Sequence, residues 1–249
     1  MIRNSILRCA AALAVFMAAG TAGAQLPTAQ AIVTKYAAAV NGNAYLSAKS
    51  VTTKGTMSMP AAGINAQFQM TQLAPNQMQM TTTIPGMGEV MVGFDGTTGW
   101  AMDPMQGPRV LSGAELDQMR DEADRRANLR DASLFTAMTT VADTTMNSER
   151  CYLVKLNWKS GRESYDCYSA LTGLLIASKS VQKTAMGEIP VVTTLSEYKK
   201  FGEVMIPTRT VQQLMGQEQI LTVSSVEFGD GAGVVIAPPD AIKALIKKQ

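Results

Sequence analysis

The chain contains no histidine, and this absence narrows the chemistry available to it. Without imidazole, Ser-His-Asp and Cys-His arrangements are excluded, as are metal sites that depend on histidine. The sequence also has no Gly-x-Ser-x-Gly elbow, no P-loop and no dinucleotide-binding glycine motif. We therefore predict a non-enzymatic protein with no cofactor and no resident metal.

Long apolar runs are also lacking outside the first 24 residues. There, the positively charged Arg3 and Arg8 precede an apolar stretch at 10–19, and Ala22-Gly23-Ala24 is typical of a cleavage site. We predict a signal peptide cleaved after Ala24, export to the periplasm, and one domain formed by residues 25–249. Once both arginines are removed, the basic and acidic residues balance, so we expect no nucleic-acid binding. We expect a monomer.

Cysteine is scarce, with three residues in the chain, of which Cys9 lies in the predicted signal peptide. Cys151 and Cys167 flank Trp158-Lys159-Ser160-Gly161, a turn signal between two alternating segments. A hairpin would bring these cysteines within bridging distance, offset by about one pair. We therefore predict a structural disulfide, which contributes roughly 3 kcal/mol for a loop of about 15 residues.

Apolar and polar residues alternate over most of the chain, a period typical of β-strands. Strands are predicted at 51–59, 64–73, 77–84, 89–94, 100–102, 151–158, 162–168, 174–182, 189–198, 204–214 and 219–228. Helices are predicted at 28–40, 112–129 and 131–138, and from Pro238 to the end. The pattern predicts a mainly β fold with α-helices: an incomplete, half-closed antiparallel β-barrel of about ten strands, with the helices covering its concave face.

The segment 112–129 combines a helical period with many charges. Ser112 and Glu115 fit a capping box at its start, and Leu116 and Met119 lie on its narrow apolar side. The opposite side is expected to be solvated, with ion pairs between residues four apart: Asp121–Arg125 and Glu122–Arg126.

Methionine is unusually frequent, with 17 residues in the chain. Alternation in the first strands places many of these side chains on one face of the sheet. The candidate lining of an apolar cavity consists of Met57, Met59, Phe68, Met70, Met78, Met80, Ile84, Val92, Phe94 and Trp100. Three interpretations remain open: ordinary core filling, an adaptable cavity for acyl chains, and periplasmic Cu(I) binding through thioethers. Trp100 also suits a core position that closes its hairpin.

Several short motifs carry a family resemblance. They are 94–100 (Phe-Asp-Gly-Thr-Thr-Gly-Trp), Asp103-Pro104, Leu111-Ser112-Gly113, 171–174 (Leu-Thr-Gly-Leu) and 198–207, which begins with Tyr198 and ends with Pro207. In these motifs the chain resembles the LolA/LolB-like superfamily of periplasmic, outer-membrane lipoprotein-sorting proteins.

The resemblance implies an incomplete barrel with a helical lid over an apolar hollow. Members of the superfamily use that hollow to shield lipoprotein acyl chains, so the implied partner is a lipid acyl chain or a lipoprotein. Leu116 and Met119 would then belong to the lid. The same fold also serves in envelope-stress sensing, which implies an envelope membrane-protein partner instead.

Overall fold

The computed structural model of the protein describes residues 25–184 and 187–247; the predicted signal peptide and its cleavage site lie outside them. Within these residues thirteen strands form one sheet, in which all neighbouring strands are antiparallel. In chain order β1 to β13 are Ser50–Met59, Ile64–Leu73, Gln77–Ile84, Gly88–Phe94, Gly99–Asp103, Gly107–Val110, Phe135–Met146, Glu149–Trp158, Glu163–Ser169, Leu175–Thr184, Gly187–Phe201, Val204–Leu214 and Gln217–Gly229.

The order across the sheet is β6-β5-β4-β3-β2-β1-β13-β12-β11-β10-β9-β8-β7. The sheet ends at β6 and β7 and does not close on itself. This confirms the predicted incomplete antiparallel barrel, with more strands than the sequence pattern indicated.

Four α-helices accompany the sheet in the described residues: α1 Ala29–Ala39, α2 Gly42–Ser47, α3 Gly113–Ala123 and α4 Asp240–Ile246. Helix α1 begins as predicted, because the Thr28 hydroxyl accepts a hydrogen bond from the backbone N–H of Ala31 at 3.2 Å. Asn41 adopts the left-handed conformation with φ 55° and ends α1. The chain then turns at once into α2, a helix that the sequence pattern does not indicate.

The contacts of α3 require a strongly curled sheet. Met119 of α3 packs against Phe94 on β4, while Gln118 Oε1 accepts a hydrogen bond from the backbone N–H of Lys183 on β10 at 2.7 Å. In a flat sheet these strands would be seven spacings apart, roughly 34 Å, whereas an 11-residue helix spans about 16 Å. The face that α3 covers is therefore the concave one.

The largest core lies on the same face beneath α1 and α2. Ile32, Val33 and Tyr36 of α1 pack with Val154 and Leu156 of β8 in one buried cluster. This follows from the apolar stripe of α1, whose three side chains recur at helical spacing. The prediction that helices cover the concave face is confirmed for α1, α2 and α3.

Helix α4 is an exception, because it packs on the opposite face of the sheet. Its Ile242 is fully buried in a cluster with Trp100. Trp100 pairs with Gly93, so its side chain lies on the face away from Val92 and Phe94. None of the helices in the described residues has the length and apolarity needed to span a bilayer.

The predicted helix over 131–138 is wrong. Only Ala132–Leu134 forms a short 3-10 turn, and Phe135 opens the twelve-residue strand β7. Pairing with β8 along its whole length supplies the backbone hydrogen bonds of this segment, and so overrides its local helical pattern.

The predicted disulfide is confirmed: Cys151 and Cys167 are bonded, with their Cα atoms 5.6 Å apart. Cys151 pairs with Ser169, and Cys167 pairs with Leu153. The two cysteines are thus diagonal neighbours on adjacent strands, and the ladder between β8 and β9 is continuous from 151 to 157.

Candidate functional site

Nine of the ten predicted lining residues lie on the concave face of the sheet. The strand register establishes this, since Met80 pairs with both Met70 and Val92, and Met78 pairs with Phe94. Residues that pair across adjacent strands share a face, and alternate residues along a strand do too. The set that shares this face is Met57, Met59, Phe68, Met70, Met78, Met80, Ile84, Val92 and Phe94.

Trp100, the tenth predicted residue, lies on the convex face. Its side chain is completely buried in the cluster that contains Ile236 and Ile242. A Cβ added to Gly93 would lie 2.3 Å from the indole ring, so the ring rests directly on the glycine backbone. Trp100 therefore closes its hairpin as a core residue and is not in contact with the concave side.

The nine concave-face residues divide into two groups. Met78 and Phe94 are buried under α3, where Met119 is buried and Leu116, Met70 and Val92 are partly buried. Met57 and Phe68 form a separate buried cluster, with Met80 and Ile84 partly buried against it; Met59 is partly exposed at the end of β1. Leu116 and Met119 thus rest on the concave face, as the prediction of a lid requires.

Side-chain bonds tether α3 to the opposite wall of the barrel. Asp121 Oδ2 lies 2.9 Å from Arg162 Nε and 2.6 Å from the Ser160 hydroxyl, both in or beside the β8–β9 turn. The Arg162 guanidinium stacks over Trp158 at 4.4 Å from the ring centroid. The Asp121–Arg162 ion pair is largely shielded from solvent, so it fastens α3 to the β8–β9 side of the barrel.

The predicted N-cap position of Ser112 is confirmed, but the predicted capping box does not form. Ser112 occupies the N-cap position without a side-chain cap bond. Glu115 instead forms a two-pronged ion pair with Arg109 of β6, with both N···O distances 2.7 Å. A charged partner on the neighbouring strand outcompetes the backbone N–H for this carboxylate.

The two i,i+4 ion pairs expected for 112–129 are also wrong, and the expected solvated face is found only in part, for example at the exposed Asp117 and Arg120. Helix α3 ends at Ala123, and Arg125 is 3% exposed. Its guanidinium donates hydrogen bonds to the carbonyl oxygens of Tyr45, at 3.3 Å, and of Ala48, at 2.5 Å. A buried arginine that bonds to α2 and to the residue that follows it locks this segment to the helices over the sheet.

A hollow of about 320 Å³ lies between these helices and the sheet. Its roof comes from α1, α2 and the turn at 128–130, and its floor comes from β1, β2 and β10 to β13. The lining residues are Tyr36, Val40, Tyr45, Val51, Thr53, Met70, Gln72, Asn128, Leu129, Arg130, Leu175, Leu195, Val204, Met205, Ile206, Pro207, Thr210 and Val223. Of the ten residues predicted to line a cavity, Met70 is the one that lines this hollow.

Sequence reasoning missed the other members of this lining. Gln72 offered one signal, because it lies two residues after Met70 and therefore on the face of β2 that carries the apolar side chains. A polar residue at such a position either bonds within the core or faces a ligand. Tyr36, on the apolar stripe of α1, offered another.

The polar members of the hollow are joined by hydrogen bonds. The Tyr45 hydroxyl donates to Gln72 Oε1 at 2.8 Å and accepts from Asn128 Nδ2 at 2.6 Å. Burial raises the pKa of Tyr45 to about 12, so the phenol is neutral and acts as a donor at physiological pH.

A buried ion pair lies beside the hollow. Arg130 Nε is 2.6 Å from Asp166 Oδ2, and the Asp166 side chain has no solvent exposure. The same oxygen accepts from the Tyr168 hydroxyl at 3.2 Å, and burial raises the pKa of Tyr168 well above its ordinary value. Arg130 itself lines the hollow, with its charge offset by Asp166.

Residues 25–184 and 187–247 contain no cluster of three or more His, Cys, Asp or Glu side chains that could hold a metal ion. The arrangement is that of an apolar container with a few bonded polar groups, and its chemistry is suited to binding.

Neither protein-family models nor curated protein sequences match this chain. Solved structures do match it. A LolA-superfamily protein from Nitrosomonas europaea is 14% identical with a TM-score of 0.56, over 87% of this chain and 97% of that one. A DUF1329-family protein from Desulfovibrio piger is 11% identical with a TM-score of 0.56, over 83% and 95%.

A domain classed with outer-membrane lipoprotein-sorting proteins, from Vibrio parahaemolyticus, is 12% identical with a TM-score of 0.53, over 87% of this chain and 97% of that one. Identities this low establish a likeness of fold. The resemblance predicted from the short motifs is thus confirmed at that level, and the chain has the LolA-like fold.

Proposed function

We propose that this protein binds an acyl chain of a lipid or lipoprotein in the periplasm, without catalysing a reaction. One observation carries the proposal: an apolar hollow of about 320 Å³ between the concave face of an incomplete barrel and its covering helices. Such a hollow suits an alkyl chain, since burial of each methylene contributes about 0.8 kcal/mol. The lining includes flexible methionines, Met70 and Met205, which adapt to chains of different shape.

The fold supports the same proposal. The Vibrio domain is named for outer-membrane lipoprotein sorting, and the LolA-superfamily protein shares its architecture with this chain. A role in lipoprotein sorting is the specific form of the proposal, with export to the periplasm by the signal peptide predicted for residues 1–24.

Native mass spectrometry tests the proposal most directly. The protein would be exported to a bacterial periplasm and purified without detergent. We expect adducts of several hundred daltons that disappear on denaturation and are recovered as lipid in an organic extract. A mass equal to that of the bare polypeptide, with no uptake of added lipid, would contradict the proposal.

A matched pair of variants locates the binding site. Met70 is partly buried and lines the hollow, whereas Met105 is 83% exposed in a turn. We expect Met70→Asp to lose bound lipid because it places a charge among acyl carbons, and Met105→Asp to retain it. Retention of lipid by a Met70→Asp variant with an unchanged circular dichroism spectrum would contradict the placement in this hollow.

The other two hypotheses have distinct outcomes. A stoichiometric membrane-protein partner, recovered from envelope extracts without lipid, would favour an envelope-stress sensor. Anaerobic titration with Cu(I) tests the thioether hypothesis, and an affinity no tighter than micromolar would reject it.

A further inference from the structure

The polar groups of the hollow define what kind of acyl compound fits there. Two of them, Thr53 and Gln72, project from the floor formed by β1 and β2. Thr53 pairs with Met70, and Gln72 pairs with Val51, so the two polar side chains are diagonal neighbours on the concave face. Both are buried, with exposures of 8% and 2%.

Gln72 is oriented by its neighbours. Its Oε1 accepts from the Tyr45 hydroxyl, which itself accepts from Asn128, so the remaining face of the Gln72 amide is its Nε2 donor. Within residues 25–184 and 187–247, no group accepts a hydrogen bond from Gln72 Nε2 or pairs with the Thr53 hydroxyl. Both residues line the hollow, so each donor is available to an acceptor on a ligand bound there.

The charge balance of the hollow indicates which acceptor. Arg130 is the cation in the lining, and Asp166 lies 2.6 Å from it. A carboxylate or phosphate placed here would therefore be desolvated without an unpaired cation to compensate it. An uncharged carbonyl oxygen avoids that cost and can accept from both Gln72 and Thr53.

The size of the hollow limits the apolar part of the ligand. A volume of about 320 Å³ equals that of roughly ten water molecules in the liquid, and a methylene group is of similar size. One chain of about ten carbons fills a volume of this size.

We infer that the hollow takes an uncharged, single-chain acyl ester or amide, whose carbonyl oxygen accepts a hydrogen bond from Gln72 Nε2 and whose chain lies against Val51, Met70 and Val204. This inference rests on the proposed function and specifies the ligand class for the same hollow. Esters of glycerol and N-acyl amides share the chemistry, and both present one neutral carbonyl at the head of the chain.

The test compares two ligands that differ in the carbonyl. 1-Monolauroylglycerol and 1-O-dodecylglycerol have the same head and chain length, but the second has an ether in place of the ester. Isothermal titration of the delipidated protein, below the concentration at which either ligand aggregates, is expected to give five- to tenfold tighter binding of the ester, the effect of one hydrogen bond. Gln72→Met removes the donor at similar volume and is expected to abolish this preference.

The outcomes separate the inference from the proposed function. Equal affinities of the wild-type protein for ester and ether would overturn the inference and leave acyl-chain binding intact. Absence of binding for both ligands would reject the proposed function itself. Tighter binding of laurate than of the ester, or stoichiometric binding of a tripalmitoylated peptide in the same hollow, would also overturn the inference. If Gln72→Met does not fold, the Thr53→Val variant and the comparison of ester with ether in the wild-type protein still test the inference.

Discussion

Asp121 on α3 and Arg162 beside the β8–β9 turn form an ion pair with Oδ2 and Nε 2.9 Å apart. Helix α3 packs against Phe94 on β4, whereas Arg162 lies on the opposite wall of the curled sheet, so their contact fastens α3 across the barrel. The Ser160 hydroxyl donates to the same carboxylate oxygen at 2.6 Å. Loss of this carboxylate would remove two bonds from one end of the helix.

We predict that Asp121→Ala loosens α3 without unfolding the barrel. Amide hydrogen exchange in Gly113–Ala123 should become several-fold faster, because a shielded ion pair and a hydroxyl bond are lost while Met119 remains packed. Asp117→Ala is the matched control, since the Asp117–Arg120 pair is about half exposed on both sides. Equal exchange rates in the two variants would contradict a fastening role for Asp121.

A second prediction concerns the buried pair of Arg130 and Asp166. Asp166→Asn removes the counter-charge of a guanidinium that is 16% exposed, and we expect a loss of about 3–5 kcal/mol in the free energy of unfolding. Asp143→Asn, at the exposed Asp143–Arg150 pair, should cost much less, because solvent screens exposed ion pairs. Urea unfolding of both variants measures the difference, and similar losses would contradict this account.

The disulfide should contribute to stability without affecting the hollow. Cys151 and Cys167 form a cluster with Ala177 on the convex side of β8 and β9, since Val154 and Tyr168 face the helices. Replacing both cysteines by alanine should cost about 2–4 kcal/mol and leave the affinity for acyl ligands unchanged. A changed affinity at a temperature where the variant is folded would contradict this separation of the two faces.

Alkaline pH should destabilise the protein through its buried phenols. Burial raises the pKa of Tyr36 to about 12 and that of Tyr45 to about 12, from 10.0. Below pH 10 both phenols are neutral in the folded and unfolded states, so they add no pH dependence. Between pH 10 and 12 the unfolded chain releases these protons first, and the free energy of unfolding falls by roughly 1.4 kcal/mol per residue per pH unit.

Urea unfolding between pH 9 and 12 measures that slope. Tyr36→Phe should reduce it by the share of one phenol, after the loss of the Tyr36 hydrogen bond to the Asn128 carbonyl is subtracted at pH 9. A slope identical to that of the wild type would show that Tyr36 does not titrate as described.

Much of the fold could be predicted because its determinants are local. Alternation gave β2, β3 and β12 their observed bounds, Thr28 identified the start of α1, and the turn between Cys151 and Cys167 indicated their disulfide. The same alternation correctly assigned Met57, Met70 and their neighbours to one face. These features depend on residues close together in the chain, so the sequence alone determines them.

The tertiary structure decided the rest. The segment 131–138 carries a helical pattern, yet pairing with β8 makes most of it a strand. Arg125 and Asp121 sit in a charged run that looks solvated, and only the curled sheet gives them buried partners. Trp100 falls on the convex face because its register with Gly93 sets its direction. The hollow itself joins α1, α2 and six strands distant in sequence, so its lining depends on how the sheet curls and cannot be read from local periodicity.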